Sequence, residues 1–304
     1  MVNVTTNCHY IKLTNNANVV NIAAMDHSTT VRLARPKGRF TFNGRSVVVC
    51  AALSSALLTA PAAAQEVRAR YALRYIDISV GSIATFSQLV GGAYRAGLDG
   101  QQAAYLSVLT SFRGSLRSDG VVRKGELLPR AYAATETTGG VTYRTEVKFD
   151  ARNATAIDIQ PAMKDADERV PVEVEHTRNV MDPSSALMMP IPEGAPTVGP
   201  AACERTLRIF SGAHRSDIAL SYLGTENMQN AAYTGPVTVC SARLVMHAGH
   251  KPAAYMTRFM SDNKGIVVKL APVSQSRFVV LAGVTVPLPL GTLSIVFEEF
   301  NVSP

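Results

Sequence analysis

The chain has 304 residues, of which 47% are hydrophobic and 17% charged, a composition typical of a globular protein and not of a disordered one. It contains no Trp, which excludes a sugar-binding platform built on indole rings, although platforms of Tyr or Phe stay open. The formal net charge of +7 is concentrated near the amino end, since residues 1–64 hold six basic residues and one acidic residue. The remaining 24 basic and 22 acidic residues are nearly balanced, so the sequence predicts no nucleic-acid partner.

Residues 35–64 have the order of a secretory signal peptide. Basic residues precede an apolar run over 47–58, and small residues follow, with Ala62 and Ala64 at the positions that a signal peptidase reads. The run is shorter than the roughly 20 residues that a membrane-spanning helix needs. We therefore expect cleavage between Ala64 and Gln65, a periplasmic location, and no transmembrane span in the mature chain.

This interpretation divides the chain into a leader over 1–64 and a single β-rich domain over 65–304. Signal peptides usually run about 15–30 residues, so residues 1–30 are surplus to the leader. The hypothesis that follows is a translation start downstream of Met1, for example at Met25. Cys50 lies inside the apolar run and not just after it, which argues against a lipoprotein signal.

Cys203 and Cys240 are the two cysteines that remain after the leader is removed. An even pair in an oxidising compartment predicts a disulfide. A free thiol pair or a metal site is the alternative, but the wide spacing lacks the C-x-x-C pattern of zinc and redox motifs.

The mature chain opens with period-two alternation of apolar and polar residues. Residues 67–75 place apolar side chains at most odd positions, and from Ile76 the phase inverts. The inversion indicates a bulge, or one long strand that passes between two faces. The stretch 101–112 fits helix or strand equally well, and the sequence leaves it open.

A β-hairpin is the clearest element of the middle of the chain. Two alternating runs, 132–138 and 141–149, flank the turn signal Gly139-Gly140. A further strand is predicted over 154–160. The valines at 170, 172 and 174 alternate with Pro171, Glu173 and Glu175, which predicts an edge strand because Pro cannot donate to a ladder.

Helix signals are scarce after this point. Asp182 as N-cap and Pro183 at the first helical position predict a short helix over 182–189, and the Pro-rich stretch 190–200 is a loop. Strands are expected around 206–211, 217–223, 237–247, 266–270, 278–281 and 291–300. The sequence thus predicts a mostly β, antiparallel fold: a curved sheet, or an open barrel-like or sandwich arrangement, with one or two short helices.

The mature sequence resembles a family of exported bacterial envelope proteins, the domain of unknown function 3108. The motifs that carry the resemblance are, in chain order, the strand ending 78–84, Asp182-Pro183-Ser184-Ser185-Ala186-Leu187, Cys240 with His250-Lys251-Pro252, Leu270-Ala271-Pro272-Val273, and the closing Pro289-Leu290-Gly291-Thr292-Leu293. The resemblance covers about 67–300. It implies an exported β-rich protein and brings no reaction and no site residues.

Motifs for common chemistry are absent from the sequence. There is no G-x-S-x-G, no H-E-x-x-H and no G-x-x-x-x-G-K-[ST], so we assign no catalytic residue and no cofactor. His247 and His250 could form half of a metal site, and residues 165–168 could form a calcium loop. Neither has the spacing of a known motif, and we interpret both as surface residues, with no metal assigned.

Met188 and Met189, close to Met181, stand beside the Pro-rich loop. Adaptable Met side chains suit the rim of a groove that accepts an apolar ligand such as a lipid, and core filling under the loop is the alternative that we favour. We predict an exported envelope protein without catalysis that binds another envelope protein or an apolar ligand. An envelope hydrolase with dispersed catalytic residues, or a purely structural partner, is the alternative.

Overall fold

The computed structural model describes residues 65–107 and 112–303 in full, and the backbone of three short strands before them. Those strands, β1 (Asn3–Asn7), β2 (Tyr10–Asn15) and β3 (Asn18–Ala23), form an antiparallel sheet in the order β1-β2-β3. They belong to a compact unit over Met1–Leu57, and a second unit covers Leu58–Pro304. The predicted signal peptide and Ala64 lie outside the described residues, whereas Gln65 begins the first strand of the second unit.

The second unit consists of one large antiparallel sheet with two short α-helices. The helices are α1 (Pro200–Cys203) and α2 (Tyr255–Asp262). Single 3-10 turns cover Ala104–Leu106, Ala166–Glu168, Val174–Thr177 and Ser185–Leu187. The strands are β4 (Gln65–Tyr75), β5 (Ile78–Val90), β6 (Ala93–Gln102), β7 (Phe112–Arg123), β8 (Glu126–Thr138), β9 (Val141–Asp150), β10 (Asn153–Gln160), β11 (Met188–Pro190), β12 (Arg205–Phe210), β13 (Arg215–Gln229), β14 (Thr234–Ala248), β15 (Ile266–Pro272), β16 (Phe278–Leu288) and β17 (Gly291–Ser303).

Nearly every strand pairs with its neighbour in sequence. The order is β10-β9-β8-β7-β6-β5-β4-β17-β16-β15-β14-β13-β12, so two meanders join where the first strand of the unit pairs with the last. The short strand β11 lies off this path and pairs with β16 at Phe278–Val280. This part of β16 precedes Gly283, where the pairing of β16 with β17 starts. The predicted mostly β, antiparallel fold with two short helices is confirmed.

The sheet does not close by strand pairing, but the segment between β10 and β12 bridges its two ends. The N–H of Val180 donates to the carbonyl of Arg152 in the β9–β10 turn, at 2.7 Å. Met181 exchanges two hydrogen bonds with β12, from its own N–H to Arg208 and from the N–H of Phe210, each at 2.8 Å. Val180 and Phe210 are buried together with residues of β8 and β9, so the two ends share a core.

The strand predictions succeed where alternation is strong. The hairpin over 132–138 and 141–149 is β8–β9, and in β9 the residues Thr145, Val147 and Phe149 are buried while the residues between them are exposed. Period-two alternation works here because successive side chains of a strand point to opposite faces of the sheet.

Three local predictions are wrong. The phase inversion at Ile76 is a two-residue turn between β4 and β5, in which Ile76 and Asp77 both adopt positive φ, and the register shift of this strand pair lies earlier, between Leu73 and Arg74. The valines at 170–174 form no strand, because Val170 is held by hydrogen bonds to residues 249 and 250 and the 3-10 turn Val174–Thr177 follows at once. The helix predicted over 182–189 is one 3-10 turn, and Met188 and Met189 belong to β11.

The predicted disulfide between Cys203 and Cys240 is present, with 5.6 Å between the Cα atoms. Cys203 ends α1 and Cys240 lies in the middle of β14, and both side chains are fully buried. The bond therefore fixes the end of the long β10–β12 connection to the face of the sheet.

Candidate ligand groove

The residues 180–204, which we call the crossover segment, lie against both meanders and carry the sequence motif Asp182-Pro183-Ser184-Ser185. Asp182 is fully buried. Its Oδ1 accepts the backbone N–H groups of Ser184 and Ser185, each at 2.9 Å, which caps the 3-10 turn. Burial raises the pKa of this carboxyl against the opposing effect of its hydrogen bonds.

The second carboxylate oxygen ties the segment to the sheet. Oδ2 of Asp182 accepts hydrogen bonds from the hydroxyls of Ser118 in β7, at 2.8 Å, and of Ser185, at 2.5 Å. Since the Ser185 proton points to Asp182, the Tyr94 hydroxyl of β6 donates to Ser185 Oγ at 2.6 Å. All four side chains are at most 5% exposed, so the network anchors the segment inside the curve of β6 and β7.

The predicted alternative, a hydrolase, uses acidic, hydroxyl and imidazole groups, and this network holds the first two kinds. It contains carboxyl, hydroxyl and phenol groups but no imidazole, since His247 bonds to Asp217 at 3.0 Å and His176 to the Glu173 backbone. The hydroxyls of Ser118 and Ser185 are used within the network, and the neighbouring Ser184 Oγ is buried without a hydrogen-bond partner. The geometry is that of a structural anchor.

Met188 and Met189 face opposite sides of the crossover segment, as neighbours in an extended strand must. Met188 packs with Tyr94, Ala96 and Leu127 of the first meander. Met189 packs with the disulfide and with the apolar face of the second meander. The exposed fraction is 1% for Met188 and 4% for Met189. Both side chains are therefore buried and do not stand on an exposed rim.

A groove of about 670 Å³ runs along the crossover segment between β8 and β12. Its volume falls within the range of roughly 300–1,000 Å³ that small-molecule sites occupy. The apolar part of the lining comes from Leu127, Met181, Ala186, Met188, Met189, Ile191, Leu207 and Phe278. Met188 and Met189 both contribute to this lining as buried side chains, which fits the core filling that the sequence analysis favours.

Charged side chains also line the groove, and two of them, Arg205 and Arg277, hold the Pro-rich loop. Arg205 donates to the carbonyls of Pro190, at 2.8 Å, and Ala201, at 2.5 Å. Arg277 donates to the carbonyls of Pro192 and Ala195. Both guanidinium groups thus hold the Pro-rich loop in place, and burial lowers the pKa of Arg205.

Three of the residues considered as metal ligands have other partners, whereas Nδ1 of His250 is buried without a hydrogen-bond partner. Asp165 and Glu168 both bind Lys251, at 2.7 Å and 2.9 Å, and His247 bonds Asp217. Across residues 65–107 and 112–303, no group of three or more His, Cys, Asp or Glu side chains is arranged to hold a metal ion. In the same part of the chain, no helix combines the length and the apolarity that a membrane crossing requires.

Tyr94 and Ser118 are the site residues that sequence reasoning missed. They lie 91 and 67 residues from Ser185, and neither belongs to a motif. Only the pairing of β6 and β7 brings them beside the Asp182 turn, so no local signal could have identified them.

Comparison with known proteins gives a family but no activity. A family described as a protein of unknown function, DUF3108, matches residues 69–294. The chain belongs to this family. No curated protein matches it. Among solved structures, it is similar to a crystal structure of a β-barrel-like protein of the domain of unknown function DUF1849 from Brucella abortus, with 5% identity, a TM-score of 0.45, and coverage of 80% of this chain and 99% of the other.

Proposed function

We propose that this DUF3108 protein is an exported envelope protein that binds an apolar ligand, such as a lipid chain, in the groove along the crossover segment. The observation that carries the proposal is the groove of about 670 Å³, whose lining combines Met, Leu, Ile and Phe side chains with charged side chains. The lining contains neither His nor Cys, and the hydroxyl of Ser185 is committed to Asp182. Its other polar side chains are Thr206 and the charged residues Lys124, Glu126, Arg152, Glu193, Glu204, Arg205 and Arg277. Binding without catalysis is the function that such a lining suits.

A periplasmic location is part of the proposal, and two features of the chain support it. The order of basic, apolar and small residues up to Ala64 is that of a signal peptide. The disulfide between Cys203 and Cys240 suits an oxidising compartment, because cytosolic thiols are kept reduced. The periplasm meets both conditions.

The first test is to purify the protein from the envelope under native conditions and to extract it for mass spectrometry. We expect a co-purifying molecule with a long apolar part at up to one equivalent. A preparation free of such molecules, which also fails to bind a fluorescent fatty acid, would overturn the proposal.

A groove-filling variant connects the ligand with the site. Thr206 lies on β12, is exposed and lines the groove, so Thr206→Trp fills space without removing a core side chain. Thr225 is an exposed Thr on β13 outside the groove, and Thr225→Trp is the matched control. We expect the amount of bound ligand to fall about tenfold in the first variant and to be unchanged in the second. Equal binding by both variants would place the ligand elsewhere.

A further inference from the structure

Two hairpin turns lie side by side at one end of the sheet. The turn Ile76-Asp77 joins β4 to β5, and Pro289-Leu290 joins β16 to β17. They touch directly, because the Ile76 N–H donates to the Thr292 carbonyl at 3.0 Å and the Tyr75 hydroxyl donates to the Leu290 carbonyl at 2.8 Å. The Tyr105 hydroxyl donates to the carbonyl of Ser79 at 2.7 Å, which brings a third turn alongside.

Large apolar side chains project from these turns into solvent. Their exposed fractions are 54% for Ile76, 61% for Ile78, 57% for Tyr105 and 81% for Leu290. We call these four residues the tip patch. Single exposed apolar side chains are normal on a protein surface, but a contiguous group usually marks an interaction site.

The backbone of Ile76 gives independent support for a role outside folding. Ile76 has a φ of +48° and Asp77 of +63°, the conformation of a two-residue hairpin turn that favours Asn-Gly. A β-branched residue at positive φ is strained, and here its side chain is also half exposed. Neither local conformation nor burial favours Ile at this position, whereas contact with an apolar surface outside the chain does.

Basic side chains flank the tip patch. Arg74 precedes Tyr75 in β4, Arg113 lies on β7 opposite Gln101, and Lys264 precedes a glycine that packs against Pro287. All three are exposed, and none forms an ion pair with another described residue. Asp77 at the turn and Asp262, two residues before Lys264, are the exposed acidic neighbours in sequence, so three cations face two carboxylates and the balance favours an anionic partner.

We propose that the tip patch inserts into the interface of a bilayer that contains anionic phospholipids. Protruding turns need no shape-complementary partner in a fluid bilayer, and flanking cations add attraction to negatively charged headgroups. The four residues of the tip patch project from turns. They form neither a groove nor a flat face that would fit a folded partner. This inference rests on the turns alone and does not require a ligand in the groove.

The absence of Trp from the chain allows a local test. Leu290→Trp places a single fluorophore in the tip patch of the full chain, and Leu223→Trp places one at an equally apolar, 59% exposed position on β13. The leader is the same in both variants. With vesicles of phosphatidylglycerol and phosphatidylethanolamine, we expect a blue shift and quenching by brominated lipid for Trp at 290 but not for Trp at 223.

Two further substitutions in the Leu290→Trp background separate the apolar and the electrostatic contributions. Ile76→Asn removes an apolar side chain and suits positive φ, so the fold is retained while vesicle binding falls about tenfold. Arg74→Gln should weaken binding to anionic vesicles about fivefold and leave the weak binding to phosphatidylcholine unchanged.

Three outcomes would overturn the bilayer proposal. The first is no spectral change with vesicles, and the second is equal quenching at 290 and 223, which would indicate non-specific adsorption. The third is a blue shift at 290 that appears with rising protein concentration in the absence of lipid. That result would assign the tip patch to contact between two copies of the chain.

Discussion

Asp182 holds the crossover segment through four hydrogen bonds from four different donors. Two donors are backbone N–H groups of the next residues, and two are the hydroxyls of Ser118 and Ser185. The side chain is fully buried, so water cannot replace any of these bonds. A carboxylate in such a place costs desolvation energy, which its raised pKa reflects, and only a complete set of donors offsets that cost.

We expect Asp182→Ala to lower the free energy of unfolding by about 3 kcal/mol, because it leaves buried donors without an acceptor. Asp182→Asn should cost less, since its amide oxygen still accepts the N–H groups of Ser184 and Ser185. Urea unfolding measures both, with Asp150→Ala as a control at an exposed position of β9, where we expect a change within about 0.5 kcal/mol. Equal stability of Asp182→Ala and the unsubstituted chain would show that the network is not an anchor.

Individual strands follow from the sequence, and their connections do not. The alternation in β9 predicts the face that holds Val147 and Phe149, both buried, and Tyr143, which is half-buried, because the period of two is a property of the strand itself. The turn at Ile76 escapes prediction because Ile-Asp carries no glycine or asparagine signal for positive φ. The alternation at 170–174 misleads because a pattern shows which residues could share a face and not whether a partner strand lies beside them.

The groove lies beyond sequence reasoning for a related reason. Its walls come from β8, the crossover segment, β12 and β16, which only the strand order brings together. The sequence draws attention to Met188 and Met189, because apolar residues beside a Pro-rich loop are a local signal, but it favours core filling for them over a ligand rim. It does not identify Leu127, Leu207 or Phe278, whose place in the lining depends on contacts across most of the chain.

The disulfide acts at the scale of elements, since it joins α1 to β14 across a loop of 38 residues. Closing such a loop stabilises the folded state by up to about 4 kcal/mol in the chain-entropy model. We expect the double substitution Cys203→Ala with Cys240→Ala, or reduction during unfolding, to lower the melting temperature. The double variant should be insensitive to reductant, which serves as the control. A melting curve of the unsubstituted chain that reductant leaves unchanged would contradict a stabilising role.

At the scale of the molecule, β4 is the first strand of the large sheet in sequence but lies inside the sheet, because it pairs with β17 on one side and with β5 on the other. Gln65 lies opposite Leu89 of β5, and its neighbour Glu66 lies opposite Ser303 of β17, so the residue that the leader analysis predicts as the first of the mature chain is itself paired in the sheet. A signal peptidase that cuts after Ala64 would thus remove the leader and leave β4 whole. Cleavage a few residues later would shorten a central strand that is paired on both sides.

We therefore expect the envelope form of the protein to begin at Gln65 when its amino terminus is sequenced. Ala64→Arg should block cleavage, because a signal peptidase requires a small residue there, and the full-length form should then accumulate at the membrane. Ala60→Arg is the matched control, since it lies outside the two positions that the peptidase reads. A mature chain that begins within β4, or a cytoplasmic chain that keeps residues 35–64, would contradict export through this leader. The first result would leave export intact and move the cleavage site, and the second would remove the periplasm from the proposed function.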